Sequence, residues 1–216
     1  MPIYAGRGDG TFQSLTSVQV PPHAFAVIAG DFNGDGILDL VTESAITPGV
    51  AELTIHLGNG DGTFQPPRIL PPLVNGVCVF GRPLLAADFN GDGITDVAFC
   101  TDTSIGILIG KGDGTFEPAL FYGVGTQGTF TFTAGDFNSD GKTDLIVSHE
   151  NADNNDHRFS IFLGNGDGTF VARTVVSLPG GYVSELPIMV GDFNSDGLLD
   201  FIMQPPSSTI AIYIQR

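Results

Sequence analysis

The chain holds 216 residues, 42% of them hydrophobic, with a formal net charge of −16. That composition belongs to a folded globular chain, not a disordered one, and the length allows one domain with a substantial core. Eight Lys and Arg against 24 Asp and Glu exclude a basic surface for nucleic acid or an anionic membrane, and no run of 18 apolar residues is present to insert as a membrane helix.

The first residues, MPIYAGRGDG, show neither the basic nor the apolar region of a signal peptide. Arg7-Gly8-Asp9 spells an adhesion tripeptide. Yet Asp9 and Gly10 belong to a motif, GDGTF, whose other copies read Asn59-Gly60-Asp61 and Lys111-Gly112-Asp113. Arginine therefore sits at a variable position of a hairpin turn.

Next comes GDFNGDGILDL, residues 30–40. Asp31, Asn33 and Asp35 occupy positions 1, 3 and 5 of a tight loop, where alternate side chains can aim their oxygens at one centre. Gly36 at position 6 permits a positive φ. Ile37 at position 7 offers its backbone carbonyl, and Asp39 at position 9 closes the set. Hard oxygen donors of this kind suit Ca²⁺, which takes six to eight oxygens at about 2.3–2.6 Å, better than Mg²⁺ with its strict octahedron. The set recurs as Asp88, Asn90, Asp92, Ile94 and Asp96, then as Asp136, Asn138, Asp140, Lys142 and Asp144. Its fourth copy is Asp192, Asn194, Asp196, Leu198 and Asp200. About four Ca²⁺ are expected, which would bring the net charge to about −8. An EF-hand is excluded, because position 12 is Thr42, Phe99, Val147 or Met203 and the flanks read as strands.

The two motifs alternate. GDGTF recurs through Asp9, Asp61, Asp113 and Asp167 at spacings of 52, 52 and 54, and the DFN loop at spacings of 57, 48 and 56. One unit is thus about 50 residues. Within it lie four short apolar segments bounded by Gly, Asp and Asn, read as strands A to D. The DFN loop joins A to B, and the GDG turn joins C to D. Four short strands per unit of that size make a propeller blade, and tandem nine-residue β-rolls do not fit. The expected fold is all-β, a β-propeller of four-stranded antiparallel blades, with residues 1–216 forming one repeat domain.

Phe32, Phe89, Phe137 and Phe193 follow the first loop ligand, while Phe12, Phe64, Phe116 and Phe170 open strand D. All eight are expected in the core. His23, His56, His149 and His157 fall at unmatched places in the repeat, the last two flanking a polar loop read as solvated. Cys78 and Cys100 lack metal-ligand spacing. No nucleophile or histidine recurs beside the loops, so no enzyme site is expected.

The DFNGDG..D loop within a blade of this length resembles the FG-GAP/VCBS repeat of integrin α-subunit propellers and many bacterial secreted proteins. The resemblance covers almost the whole chain. It implies a propeller, typically seven-bladed, with Ca²⁺ in the A–B loops, and an extracellular or cell-surface adhesion and recognition module with a protein or glycan ligand. A carbohydrate-binding propeller, or an accessory domain of a larger secreted enzyme, is the alternative. This chain has four such loops, not seven. Its first strand, Ile3–Gly6, duplicates the place of Ile212–Gln215. That overlap predicts a piece of a continuous array more readily than a small closed ring, in which Thr11–Val18 would pair with Thr209–Gln215.

Overall fold

A computed structural model describes residues 1–47, 50–70, 83–101, 103–124, 131–150, 157–171, 174–177, 188–203 and 211–213. All its regular elements are strands. A hairpin of β1 (Pro2–Gly6) and β2 (Phe12–Ser17) comes first. Blade one follows with β3 (Ala24–Gly30), β4 (Asp39–Thr47), β5 (Val50–His56) and β6 (Arg68–Ile69). Blade two holds β7 (Leu85–Ala87), β8 (Asp96–Cys100), β9 (Ser104–Leu108) and β10 (Leu120–Gly123). Blade three holds β11 (Thr131–Gly135), β12 (Asp144–Glu150), β13 (His157–Phe162) and β14 (Thr174–Ser177). Blade four shows β15 (Ile188–Gly191), β16 (Asp200–Met203) and β17 (Ala211–Tyr213). Within each blade, neighbours in sequence are neighbours in the sheet. All pairs are antiparallel. The expected β-propeller blades are therefore present.

The apolar core lies between blades, and the sheets of blades two and three bury both faces. In β8, Val97 and Phe99 join Val41, Leu53 and Ile55 of blade one. The alternate residues Ala98 and Cys100 join Leu145, Val147 and Phe162 of blade three. This is the period-2 alternation of a strand with both faces covered. It explains why DVAFC reads as a continuous apolar run. A third cluster of Ile146, Phe159, Phe201 and Met203 joins blades three and four. The first strands line up side by side, β3 against β7, β7 against β11, and β11 against β15.

The two sequence motifs lock successive blades together. The ring of Phe32, in the A–B loop of blade one, meets that of Phe116, after the C–D turn of blade two, at 6.0 Å. Phe89 of blade two meets Phe170 of blade three at 5.8 Å. Beside each ring pair a backbone bond repeats: Gly114 N–H donates to the Phe32 carbonyl and Gly168 N–H to that of Phe89, both at 3.1 Å. Tilted aromatic pairs of this kind add about 0.5–1.5 kcal/mol beyond the area they bury.

Two sequence expectations change here. Phe32, Phe89, Phe116 and Phe170 are buried as expected, but Phe12 is 70% and Phe193 45% exposed; no described blade presents the complementary motif to either. Phe64, Phe116 and Phe170 do not open strand D. Each closes its turn through a lone bridge to Gly58, Gly110 or Gly164, and strand D starts four residues further on. Phe12–Ser17 pairs with Pro2–Gly6, and among the described residues it pairs with no strand of the last blade, so the pairing of a closed ring is not shown. Cys100 is buried, and Cys78 lies outside the described residues.

Phe89 is 1% exposed and belongs both to the lock and to the core between blades two and three. Phe89→Ala is expected to destabilise the fold by about 3–5 kcal/mol, measured by urea unfolding with an unchanged m-value. A loss below about 1 kcal/mol would show that the lock adds little.

Candidate metal loops

Each DFN loop is wound by its own side chains. Asp31 Oδ1 accepts from Gly34 N–H at 2.7 Å and Oδ2 from Gly36 N–H at 2.8 Å. Asn33 Oδ1 accepts from Asp35 N–H at 3.0 Å, while its amide Nδ2 donates to Asp35 Oδ2 at 2.8 Å. Asp35 Oδ1 accepts from Ile37 N–H at 2.8 Å. The other loops repeat the pattern. Gly93, Gly141 and Gly197 donate to Asp88, Asp136 and Asp192 at 2.8–2.9 Å, and Asn90, Asn138 and Asn194 donate to Asp92, Asp140 and Asp196 at 2.8–3.2 Å. The backbone of Ile94, Lys142 and Leu198 donates to the position-5 carboxylate.

Position 6 holds the expected left-handed glycine, with φ of 80–86° at Gly36, Gly93, Gly141 and Gly197. Position 4 is left-handed too, which the sequence reading missed. It is Gly34 and Gly91 in two loops but Ser139 and Ser195, at φ of 60° and 62°, in the others. A left-handed serine stores some backbone strain.

Position 9 differs from the rest. Asp39, Asp96, Asp144 and Asp200 are 0% exposed. Asp39 Oδ2 accepts from Phe32 N–H at 3.1 Å and Oδ1 from Gly58 N–H at 2.8 Å. Asp96 takes Phe89 and Gly110, and Asp144 takes Phe137 and Gly164, at 2.7–2.9 Å. Phe193 donates to Asp200 at 2.9 Å. This aspartate therefore staples the A–B loop to the residue that opens the C–D turn. Burial pushes the carboxyls of Asp39 and Asp144 up, and that of Asp96 up to about 6, against the pull of the two N–H donors. Neighbouring loop carboxylates, Asp92 and Asp88 at Asp96, push the same way.

The residues fit a hard divalent cation in their chemistry. Most of the hydrogen bonds traced above leave a second lone pair on the accepting oxygen. The buried carboxylate stands beside two others with almost no compensating side-chain charge: among the described residues the only salt bridge to a loop is Lys142 to Asp140, at 3.7 Å. Among the same residues no three carboxylate, imidazole or thiolate groups converge into a closed cage. Each loop offers a mixed set instead: Asp, Asn, Asp, a backbone carbonyl, and the outer lone pairs of the position-9 Asp. If Ca²⁺ is bound, Asp31, Asn33, Asp35, Ile37 and Asp39 would hold it in the first loop, and their counterparts in the others. The ion would supply positive charge against the crowded carboxylates.

The C–D turns are saturated, in keeping with their reading as hairpins. Asp9, Asp61, Asp113 and Asp167 each accept from the N–H and the hydroxyl of the threonine two residues on. Those bonds hold their pKa values below the usual carboxylate range. Arg7 reaches across the turn to Gln13 Oε1 at 3.3 Å. His149 flanks the polar segment as expected, but from within β12, 2% exposed, with Nε2 and Ser160 Oγ 2.8 Å apart. The polar segment 151–156 lies outside the described residues. His56, unremarkable in sequence, is buried completely.

A model of the FG-GAP-like repeat matches residues 2–42, 88–147 and 136–203, which is most of the chain. The chain belongs to the FG-GAP-like repeat family. Among solved structures these repeats resemble an Agrocybe aegerita lectin that recognises non-reducing terminal N-acetylglucosamine. The two share 21% identity with a TM-score of 0.62, over 94% of this chain and 54% of the lectin. This FG-GAP-like chain thus spans about half the lectin's length, and at that identity the likeness is one of fold. The Photorhabdus luminescens Tc holotoxin pore aligns with TM-score 0.46 and 18% identity, over 94% of this chain and 12% of that one. No curated protein sequence matches the chain.

Replacing Asp96 removes two bonds from a charged acceptor at once. Asp96→Ala is expected to lower unfolding free energy by about 3 kcal/mol or more, at 1.5–3 kcal/mol per charge-assisted bond less the relief of a buried charge. Chemical denaturation in EDTA isolates this staple from any metal. An unchanged midpoint would remove the aspartate from its structural role.

Proposed function

We propose that the chain is a calcium-stabilised, non-enzymatic recognition module that works at the cell surface or outside the cell. The observation that carries the calcium reading is the fourfold repetition of one oxygen-donor set around a buried carboxylate, with a side-chain cation at only one loop among the described residues. A metal there would be structural: it would relieve repulsion within the loop that joins strand A to strand B. Membership of the FG-GAP-like repeat family supports the recognition role. A glycan ligand is the favoured form of that role over a protein ligand, supported by the likeness in fold to a lectin.

Melting in EDTA, then with added calcium, tests the metal. Binding to the native state alone adds about 2.7 kcal/mol per site at a hundredfold excess over Kd, so Tm is expected to rise clearly. A Tm indifferent to calcium would end the proposal. Metal counting on Asp88→Ala is expected to show one ion fewer than the wild type, since blades in such arrays interact mainly with neighbours. Loss of every ion together would point to a shared site. A glycan array then separates sugar recognition from protein recognition.

A further inference from the structure

Each blade turns one face towards the blade before it. On blade two that face presents Val97, Phe99 and Leu108, and on blade three Leu145, Val147 and Phe162. Blade one carries Leu40, Thr42 and His56 at the same register positions, since Leu40 opposes His56 as Val97 opposes Leu108 and Leu145 opposes Phe162. The substitution is buried, not solvated: His56 is 0% and Thr42 1% exposed. The His56 Nε2 lies 3.1 Å from the Thr42 hydroxyl, but its Nδ1 has no hydrogen-bond partner. Neither has the Thr54 hydroxyl, on the same face, nor that of Ser44. Native interiors seldom leave polar atoms unpaired, and an unpaired group marks a place where something else supplies the partner. Burial also pushes the His56 imidazole below its ordinary pKa, so the ring is neutral, with one donor and one acceptor nitrogen.

A cleft of about 280 Å³ opens at the His56 end of this face, between residues 16–19 and the C–D turn of blade one, with His56 the one residue of the face in its wall. It lies at the one C–D turn of a complete blade whose phenylalanine, Phe64, is not covered by the ring of a preceding DFN loop, as Phe116 and Phe170 are. No charged residue lines it. Hydroxyls and amides do, among them Ser17, Gln19 and Gln65, beside the apolar surfaces of Phe64 and Pro66. An anion or cation would find no countercharge there. A hydroxyl-rich ring with an apolar C–H face would find both kinds of contact. The size lies at the lower bound of ligand pockets, roughly 300–1,000 Å³, which limits the occupant to about one sugar ring.

We propose that this cleft binds a neutral saccharide unit, held by the amides and hydroxyls of the hairpin and the turn, with His56 as the innermost hydrogen-bonding group. The proposal rests on the recognition role above and gives it a place. Blade three buries His149 and Ser160 on the corresponding face, but the two pair with each other, and its turn phenylalanine, Phe170, is covered by Phe89; a single site is therefore expected, not one per blade.

Titration calorimetry on the calcium-loaded chain, with the methyl glycosides of glucose, galactose, mannose and N-acetylglucosamine as probes, tests it. At least one is expected to bind with a stoichiometry near one. His56→Leu installs the residue that blade two carries at this position, so Tm is expected to hold or rise while affinity falls tenfold or more. Should that variant unfold, Gln65→Ala on the exposed rim is expected to weaken binding at unchanged Tm. The proposal is overturned if no glycoside binds at millimolar concentration, if binding survives a folded His56→Leu or Gln65→Ala, or if the cleft serves self-association that no glycoside reverses. Sugar binding that both variants retain would sink the cleft while leaving the recognition role standing; silence towards glycosides, glycan array and protein ligands together would sink both.

Discussion

The buried aspartate at position 9 is the contact on which the rest of each blade depends. Asp39 gives one oxygen to Phe32 N–H and the other to Gly58 N–H. A single side chain thereby fixes the A–B loop, the end of strand C and the entry to the C–D turn. Such a group is costly to bury, and its raised pKa at Asp96, about 6, shows that desolvation and neighbouring carboxylates outweigh two good donors. The blade accepts that cost because nothing apolar could satisfy both N–H groups at once. It also creates a demand for positive charge. The loop carboxylates wind around this anchor, so the same geometry that builds the blade gathers the oxygens on which the calcium proposal rests.

The staple holds within a blade, and the lock holds between blades. With Asp39 setting the loop, the Phe32 ring and carbonyl are presented to the next C–D turn, which answers with Phe116 and Gly114 N–H. The next blade repeats this with Phe89, Phe170 and Gly168. Order thus propagates by nearest neighbours, as in other repeat folds. It also explains why chemically identical phenylalanines differ so much in exposure. Phe32 and Phe89 are covered by a following turn, whereas Phe193 has none among the described residues and stands 45% exposed.

Much of this was legible in the sequence. Motif spacing gave the unit length, the strand count and the place of both turns, because Gly, Asp and Asn mark tight turns whatever the tertiary context. The left-handed glycine at position 6 was legible for the same reason. The direction of Asp39 was not. A carboxylate at position 9 of an oxygen-rich loop reads as one more outward ligand, and only the partner Gly58, nineteen residues away, shows that it points inward. The partners of the phenylalanines were equally hidden, since Phe32 and Phe116 belong to different repeats. His56 escaped notice because a residue out of step with a repeat carries no periodic signal. What marks it is comparison with Leu108 and Phe162 at the same register, and that comparison needs the sheet.

Repetition and function pull in opposite directions along this chain. The staple, the left-handed loop and the saturated Asp–Thr turn recur with little change, because each is a backbone requirement that any blade must meet. The blade faces are freer. They need only fill the space between two sheets, so Val97, Phe99 and Leu108 serve one junction while Leu145, Val147 and Phe162 serve the next. Thr42 and His56 do not meet even that loose requirement: they bury hydrogen-bonding atoms where hydrocarbon would pack more stably. Packing gives no reason for such a change. Blade three also buries a histidine and a serine on the matching face, but they pair with each other; on blade one the His56 Nδ1 lacks a partner beside an uncovered turn, and there a chemistry specific to this protein is to be sought.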